Sequence, residues 1–140
     1  MRGATPDTLA DIHATSFHPA RGWTTSEIAG LLASPHVFVV TDRAGFVMGR
    51  VVADEAELLT IAVLPAARGT GMGARLLRGF EANATERGAK RAFLEVAQDN
   101  TKARALYSGA GWHESGRRKG YYARSGKENV DAILMEKRFP

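Results

Sequence analysis

The stretch Leu58–Gly88, LLTIAVLPAARGTGMGARLLRGFEANATERG, constrains the fold most, because an apolar strand runs through a glycine-rich turn directly into a helix. Leu58 to Leu64 is rich in branched apolar residues, as a buried strand requires, and Pro65 ends its ladder by lacking an N–H. From Met72 onward, Leu76, Leu77, Phe80 and Ala84 fall on one helical stripe, and Gly88 is placed to cap the end. The glycines therefore sit at a helix N-terminus. There the first N–H groups lack intrahelical partners and carry the positive end of the helix dipole. Gly69, Gly71 and Gly73 remove Cβ atoms that would hold an anion away from the backbone, and Arg68 adds a fixed charge. The arrangement suits a pyrophosphate.

Three phosphate motifs compete for these residues. A P-loop is excluded, since no Lys-Ser or Lys-Thr pair follows the glycines. The loose dinucleotide fingerprint is met by Gly69-x-Gly71-x-x-Ala74, with Glu95 about 20 residues on where a ribose-binding acid belongs. Against it, Leu64 to Arg68 separates the strand from the glycines, whereas the dinucleotide turn is tight. The third motif is Arg68-x-x-Gly71-x-Gly73 preceded by Ile61-Ala62-Val63-x-Pro65, which resembles the acetyl-CoA signature of the GNAT N-acetyltransferases.

The order of the remaining elements bears on that choice. Thr5-Pro6-Asp7 reads as a helix start, with Leu9, Ile12 and Phe17 on its apolar side. A second helix spans Trp23 to Ser34: Thr24-x-x-Glu27 fits a capping box, with Trp23 and Ile28 as its hydrophobic staple. Val37 to Thr41 and Phe46 to Ala53 form a hairpin about Asp42-Arg43-Ala44-Gly45, and a third strand begins at Glu57. Two helices, a three-strand meander, the glycine turn and a long helix is the GNAT order. A dinucleotide fold would open on its fingerprint unit instead.

Beyond Gly88, the strand Arg91 to Ala97 places Ala92, Leu94 and Val96 on one face and Phe93, Glu95 and Ala97 on the other. Glu95 is anomalous among apolar neighbours: it either faces an accessible cleft or needs a buried partner, since an isolated buried charge is costly. Asn100 caps a short helix, Thr101 to Ala110, stopped by Gly111, with Ala103, Leu106, Tyr107 and Ala110 on one face. Taken alone, Tyr107 reads as a core aromatic. The phrase from Leu94-Glu95-Val96 through Asn100 and Leu106-Tyr107 to Gly111-Trp112 nonetheless resembles the second half of the GNAT cofactor site. Trp112 to Arg117 is expected as a strand, Arg118-Lys119-Gly120-Tyr121-Tyr122 and a polar loop follow, and Ala132 to Lys137 is the last strand.

Composition sets bounds on function. At 140 residues, 44% hydrophobic and 24% charged, the chain suits one globular domain over residues 1–140. With no cysteine, disulfides, thiolate zinc sites and a cysteinyl acyl-enzyme are excluded. His13, His18, His36 and His113 show no metal-ligand spacing. The net charge of +4 favours anionic ligands without identifying nucleic acid, and the basic run Arg118-Lys119 reads as a solvated loop. No apolar run approaches the roughly 18 residues of a membrane span, and MRGATPDTLADIHATSF lacks a signal-peptide apolar region, so cytoplasm is the expectation and no membrane partner is foreseen.

The ending narrows the resemblance to the RimI type, the ribosomal-protein-alanine N-acetyltransferases. It is carried by Glu57-Leu58-Leu59-x-Ile61-Ala62-Val63, Leu94-Glu95-Val96, Arg118-x-x-Tyr121-Tyr122 and Asp131-Ala132-Ile133-x-Met135. Gly120 and Val130 depart from the pattern, where some relatives carry Asn and an acidic residue. The resemblance implies an α/β GNAT fold, a central mixed and mostly antiparallel twisted sheet flanked by helices, with acetyl-CoA as cosubstrate and no metal. It implies that Glu95 is the general base and Tyr107 the general acid. Main-chain groups of Ile61, Ala62 and Val63 would hold the pantetheine arm and acetyl carbonyl; Arg68, Gly69, Thr70, Gly71, Met72, Gly73 and Ala74 would take the pyrophosphate; Asn100 would touch CoA near the pantetheine. Trp23, Tyr121 and Tyr122 are expected in the acceptor groove, although the staple alone explains Trp23. The implied acceptor is a protein N-terminus, that of the eighteenth small-subunit ribosomal protein. Other N-termini, lysines, a small-molecule amine such as a polyamine or antibiotic, and a non-catalytic acyl-CoA sensor are the alternatives. An α-amine, with pKa about 8, loses its proton more readily than a lysine at about 10.4, which favours an N-terminus.

Overall fold

Short-range signals set the first elements. The computed structural model describes residues 5, 6, 8–10, 24–124 and 126–140; Trp23, His13 and His18 lie outside them. At the start of the first helix the Thr8 N–H donates to Thr5 Oγ1 at 3.1 Å, and Leu9 and Ala10 are buried. Helix α1, Thr25–Leu32, begins with both halves of the capping box. The Glu27 N–H donates to Thr24 Oγ1 at 3.1 Å, and the Thr24 N–H donates to Glu27 Oε1 at 3.0 Å. Two of the donors that a helix start leaves unpaired are thereby satisfied.

Among the described residues six strands make one sheet in the order β1-β2-β3-β4-β6-β5. Strands β1 (Val37–Asp42), β2 (Gly45–Val52) and β3 (Glu55–Val63) form an antiparallel meander. Helix α2 (Met72–Glu86) then crosses over to β4 (Arg91–Ala97), which lies parallel to β3. Helix α3 (Thr101–Gly109) leads into the antiparallel pair β5 (His113–Arg124) and β6 (Lys127–Arg138), with β6 between β4 and β5. This is the mixed, mostly antiparallel sheet that the sequence resemblance implies.

The last hairpin is longer than its sequence suggests. Arg118 to Tyr122, expected outside a strand, continue β5 as far as Arg124. Pairing with β6 holds them there, and a bulge absorbs the misfit: four steps from Arg118 to Tyr122 face two from Ala132 to Val130. Gly120 adopts φ +60° in this bulge. Its N–H donates to Asp131 Oδ1 at 3.0 Å, and its carbonyl accepts from Asn129 Nδ2 at 3.2 Å.

A second bulge organises the sheet's centre. Met48 pairs with Thr60 but Gly49 pairs with Leu58, so Leu59 is surplus. One extra residue reverses which side chains face which layer. Before it, Ala56 and Leu58 pack in the core beneath α2; after it, Ile61 and Val63 turn to that same core while Ala62 joins Leu9, Ile28, Phe46 and Met48 on the opposite face.

The core beneath α2 tolerates no added bulk at Gly49. A Cβ there would lie 2.6 Å from both Phe38 Cζ and Phe80 Cε1, and those rings are stacked with centroids 5.7 Å apart. Gly49→Ala is expected to lower stability by about 1–3 kcal/mol through overpacking, read as a lower denaturant midpoint at unchanged slope; an unmoved midpoint would contradict this packing.

Candidate active site

The site begins where the sheet comes apart. The parallel ladder between β3 and β4 holds only Glu55–Arg91, Ala56–Ala92 and Glu57–Phe93, although β3 runs on to Val63 and β4 to Ala97. The Leu59 bulge follows directly on the last pair and turns β3 away. On the edge facing β4, the backbone of Ile61–Val63 therefore has no strand partner among the described residues.

A cavity of about 560 Å³ occupies this region, between the end of β3, the N-terminus of α2 and the first turns of α3. Of the sequence-predicted cofactor residues, Ile61, Ala62, Val63, Arg68, Gly69, Gly71, Met72, Gly73 and Asn100 line it; Thr70 and Ala74 do not. Thr70 is exposed and bonds within its own loop instead, its Oγ1 donating to the Ala67 carbonyl at 2.5 Å. Sequence reasoning missed Ala67, Lys102, Ala103 and Leu106 as lining residues. The i, i+3 spacing of Ala103 and Leu106 on one face of α3 was the available signal for two of them.

The glycines divide their work. Gly69 and Gly71 have φ of +77° and +82°, and a Cβ on either would meet no atom within 4 Å, so a left-handed backbone is what demands glycine there. Gly73 has no such backbone, and a Cβ there would make an ordinary contact with Leu106 Cδ2 at 3.4 Å. Gly71 is the N-cap of α2 and its carbonyl accepts the first helical bond, from the Arg75 N–H at 3.1 Å. The N–H groups of Met72, Gly73 and Ala74 then have no acceptor within the helix. Arg68 lines the same mouth and donates from Nε to the Val63 carbonyl at 3.3 Å, joining the turn to the strand end. Asn100 combines lining with capping, its Oδ1 accepting from the Ala103 N–H at 3.2 Å.

The cavity lining is chemically mixed. Ile61, Val63, Ala103 and Leu106 make one part apolar, while Arg68, Lys102 and the helix start supply cations and amide donors. Such a cavity fits a molecule with a long thioester arm at one end and a pyrophosphate at the other.

Glu95 lies on β4 between buried Leu94 and Val96, with its own side chain 30% exposed. Of the two possibilities that the sequence left open, accessibility is therefore the observed one. Its Oε1 sits 2.9 Å from Arg118 Nε, a partner the sequence did not reveal. The Arg118 guanidinium also lies over the Tyr121 ring, 5.5 Å from its centroid. Tyr121 meets Tyr122 edge-on at 5.0 Å, and Tyr121 is exposed. Burial, and then the charge of Glu95, raise the Tyr122 phenol above its ordinary value. Glu95, Tyr121 and Tyr122 are thus brought together.

Tyr107 is only 4% exposed and packs against Trp112 with ring centroids 6.0 Å apart. It follows the lining residue Leu106 but is not itself among the lining residues. Burial pushes its phenol up to about 12, so the hydroxyl keeps its proton at any physiological pH. Trp112 is held in turn by Glu81, whose Oε2 accepts from the indole Nε1 at 3.1 Å. The acidic residues near the start of β3 are already engaged: Glu55 pairs with Arg91, and Glu57 with Arg50 at 2.5 Å.

A split parallel strand pair over a glycine-capped helix start, with an exposed carboxylate on the diverging strand, defines an acyl-CoA-dependent acyltransferase. The chain belongs to the acetyltransferase (GNAT) family, whose model matches residues 7–112, and it is an acetyl-CoA-dependent N-acetyltransferase. It is 37% identical to the N-alpha-acetyltransferase RimI of Mycobacterium tuberculosis over 91% of this chain and 83% of that one. It is 40% identical to the ribosomal protein bS18-alanine N-acetyltransferase of Escherichia coli K12, over 66% of this chain and 62% of that protein. The crystal structure of the ribosomal-protein-S18-alanine N-acetyltransferase from Escherichia coli superposes with a TM-score of 0.83 at 29% identity, covering 99% of this chain and 91% of that one. Among the described residues no helix is long and apolar enough to cross a membrane.

Proposed function

We propose that the protein transfers the acetyl group of acetyl-CoA to the N-terminal α-amine of a protein, the N-terminal alanine of ribosomal protein bS18, and that it does so in the cytoplasm. The observation that carries this is the divergence of β3 and β4, with the β4-facing edge of Ile61–Val63 left open on one strand and the accessible Glu95 carboxylate on the other. The names of the relatives supply the acceptor.

In this reading the open edge of Ile61, Ala62 and Val63 holds the pantetheine arm and the acetyl carbonyl, and Asn100 borders the arm. The segment from Arg68 through Gly69, Thr70, Gly71, Met72 and Gly73 to Ala74 receives the pyrophosphate, with its amide donors and positive dipole end. Glu95 accepts the proton that the acceptor ammonium must lose before it attacks, directly or through water. Tyr107, held neutral by its burial, donates a proton to the departing thiolate. Tyr121 and Tyr122 flank Glu95 and form one wall of the acceptor groove; Trp23 is assigned to the same groove from sequence alone. Without a cysteine or a G-x-S-x-G serine, transfer is direct, within a ternary complex.

The test is acetyl-CoA turnover, followed by thiol release, on a peptide beginning Ala-Arg, on the same peptide N-terminally blocked, and on a panel of small amines. Turnover confined to the free peptide N-terminus is expected. Turnover on small amines alone would replace the acceptor assignment.

A further inference from the structure

The partner of Glu95 is chemically unusual for a base awaiting work. The acceptor α-amine arrives largely as an ammonium near neutral pH, and it must come to Glu95 to lose its proton. Yet Glu95 Oε1 already has a cation on it, Arg118 Nε at 2.9 Å. That cation is not locked in place. The Arg118 side chain is 56% exposed, it also lies over the face of Tyr121, and Tyr121 is itself 54% exposed. Two other basic residues on β5 are committed elsewhere, Arg117 to Glu114 and Asp131, and Arg124 to Asp99. The Gly120 bulge, tied to Asp131 and Asn129, sets where Arg118 leaves the strand.

We propose that Arg118 holds the acceptor ammonium's place on Glu95 in the free enzyme and is displaced by it, staying over the Tyr121 ring while the acceptor is bound. The exchange swaps one cation for another on the same carboxylate. An acceptor that arrives as an ammonium can make it, so Arg118 acts as a positioning residue. The cation–π contact keeps the displaced guanidinium close enough to return after turnover.

This inference rests on the reading of Glu95 as base. Its test is steady-state kinetics of Arg118→Ala and Arg118→Lys with the Ala-Arg peptide as acceptor. In Arg118→Ala the KM for the peptide should fall about twofold to fivefold, the size expected for losing one exposed competing ion pair, with the change in KM rather than in kcat and the KM for acetyl-CoA as reference. Arg118→Lys, which restores a competing cation, should return the peptide KM toward the wild-type value. A peptide KM that rises or stays put in Arg118→Ala overturns the role of Arg118, as does a Lys variant that behaves like the Ala variant. Failure of the underlying reading looks different: a Glu95→Gln enzyme would keep its kcat.

Discussion

Glu95→Gln is expected to lower kcat for peptide acetylation about 10²- to 10⁴-fold, the usual yield of a positioned general base, while leaving the KM for acetyl-CoA within about twofold. Glutamine matches glutamate in volume and can still accept a hydrogen bond from Arg118, but it cannot take the acceptor's proton. Folding should survive. The Glu95 side chain is not part of the packed core, and an ion pair this exposed contributes about 1 kcal/mol or less. The deficit should also narrow as pH rises past about 8, because a growing fraction of α-amine then arrives already neutral. Thiol-release kinetics from pH 6.5 to 9.5 test both points. Wild-type turnover in the variant at pH 7 would remove Glu95 from the mechanism.

Tyr107→Phe carries the second large effect, and it has two independent readouts. As the proposed acid, Tyr107 should cost about 10²-fold or more in kcat when its hydroxyl is deleted, with acetyl-CoA still binding, since the cavity lining is untouched. The other readout is stability at high pH. The unfolded phenol ionises near 10 and the folded one at about 12. Between these values the unfolded chain gives up a proton that the folded chain keeps, so rising pH favours unfolding. The wild type should lose roughly 2–3 kcal/mol across that window through this one group, a loss that Tyr107→Phe escapes. Denaturant midpoints at pH 9.5 and 11.5 measure it. Full turnover in Tyr107→Phe alongside the altered alkaline stability would leave Tyr107 a core residue and nothing more.

Features written in consecutive residues were legible before any coordinates. Thr24 and Glu27 cap a helix whatever surrounds them, and both bonds form as read. Gly71 opens α2 and Gly88, at φ +93°, follows its end, because left-handed backbone selects glycine locally. The alternation of β4 likewise separates Ala92, Leu94 and Val96 from Glu95 without help. What escaped depends on register between distant segments. Leu59 carries no mark of being surplus; it becomes so only when Met48 meets Thr60 and Gly49 meets Leu58. Arg118 meets Glu95 only because β6 aligns Leu134 with the one strand and Ala132 with the other. The full length of β5 was hidden for a related reason. Most of its residues are exposed, and before Tyr121 all of them are polar, charged or glycine, so no apolar period announces a strand that pairing alone creates.

The surplus residue at Leu59 also says something about how this site can change over generations. The donors and acceptors along Ile61–Val63 belong to the main chain, so most replacements there alter the fit of a wall while leaving the opening in place. Loss of a single residue between Glu57 and Ile61 is a different kind of event. It would let β3 run straight, with Ile61 and Val63 still facing the core beneath α2, and bring the strand back alongside β4. The opening is inherited as a count of residues more than as their identities, and a lineage can rework its chemistry by substitution far more safely than it can shorten this strand by one.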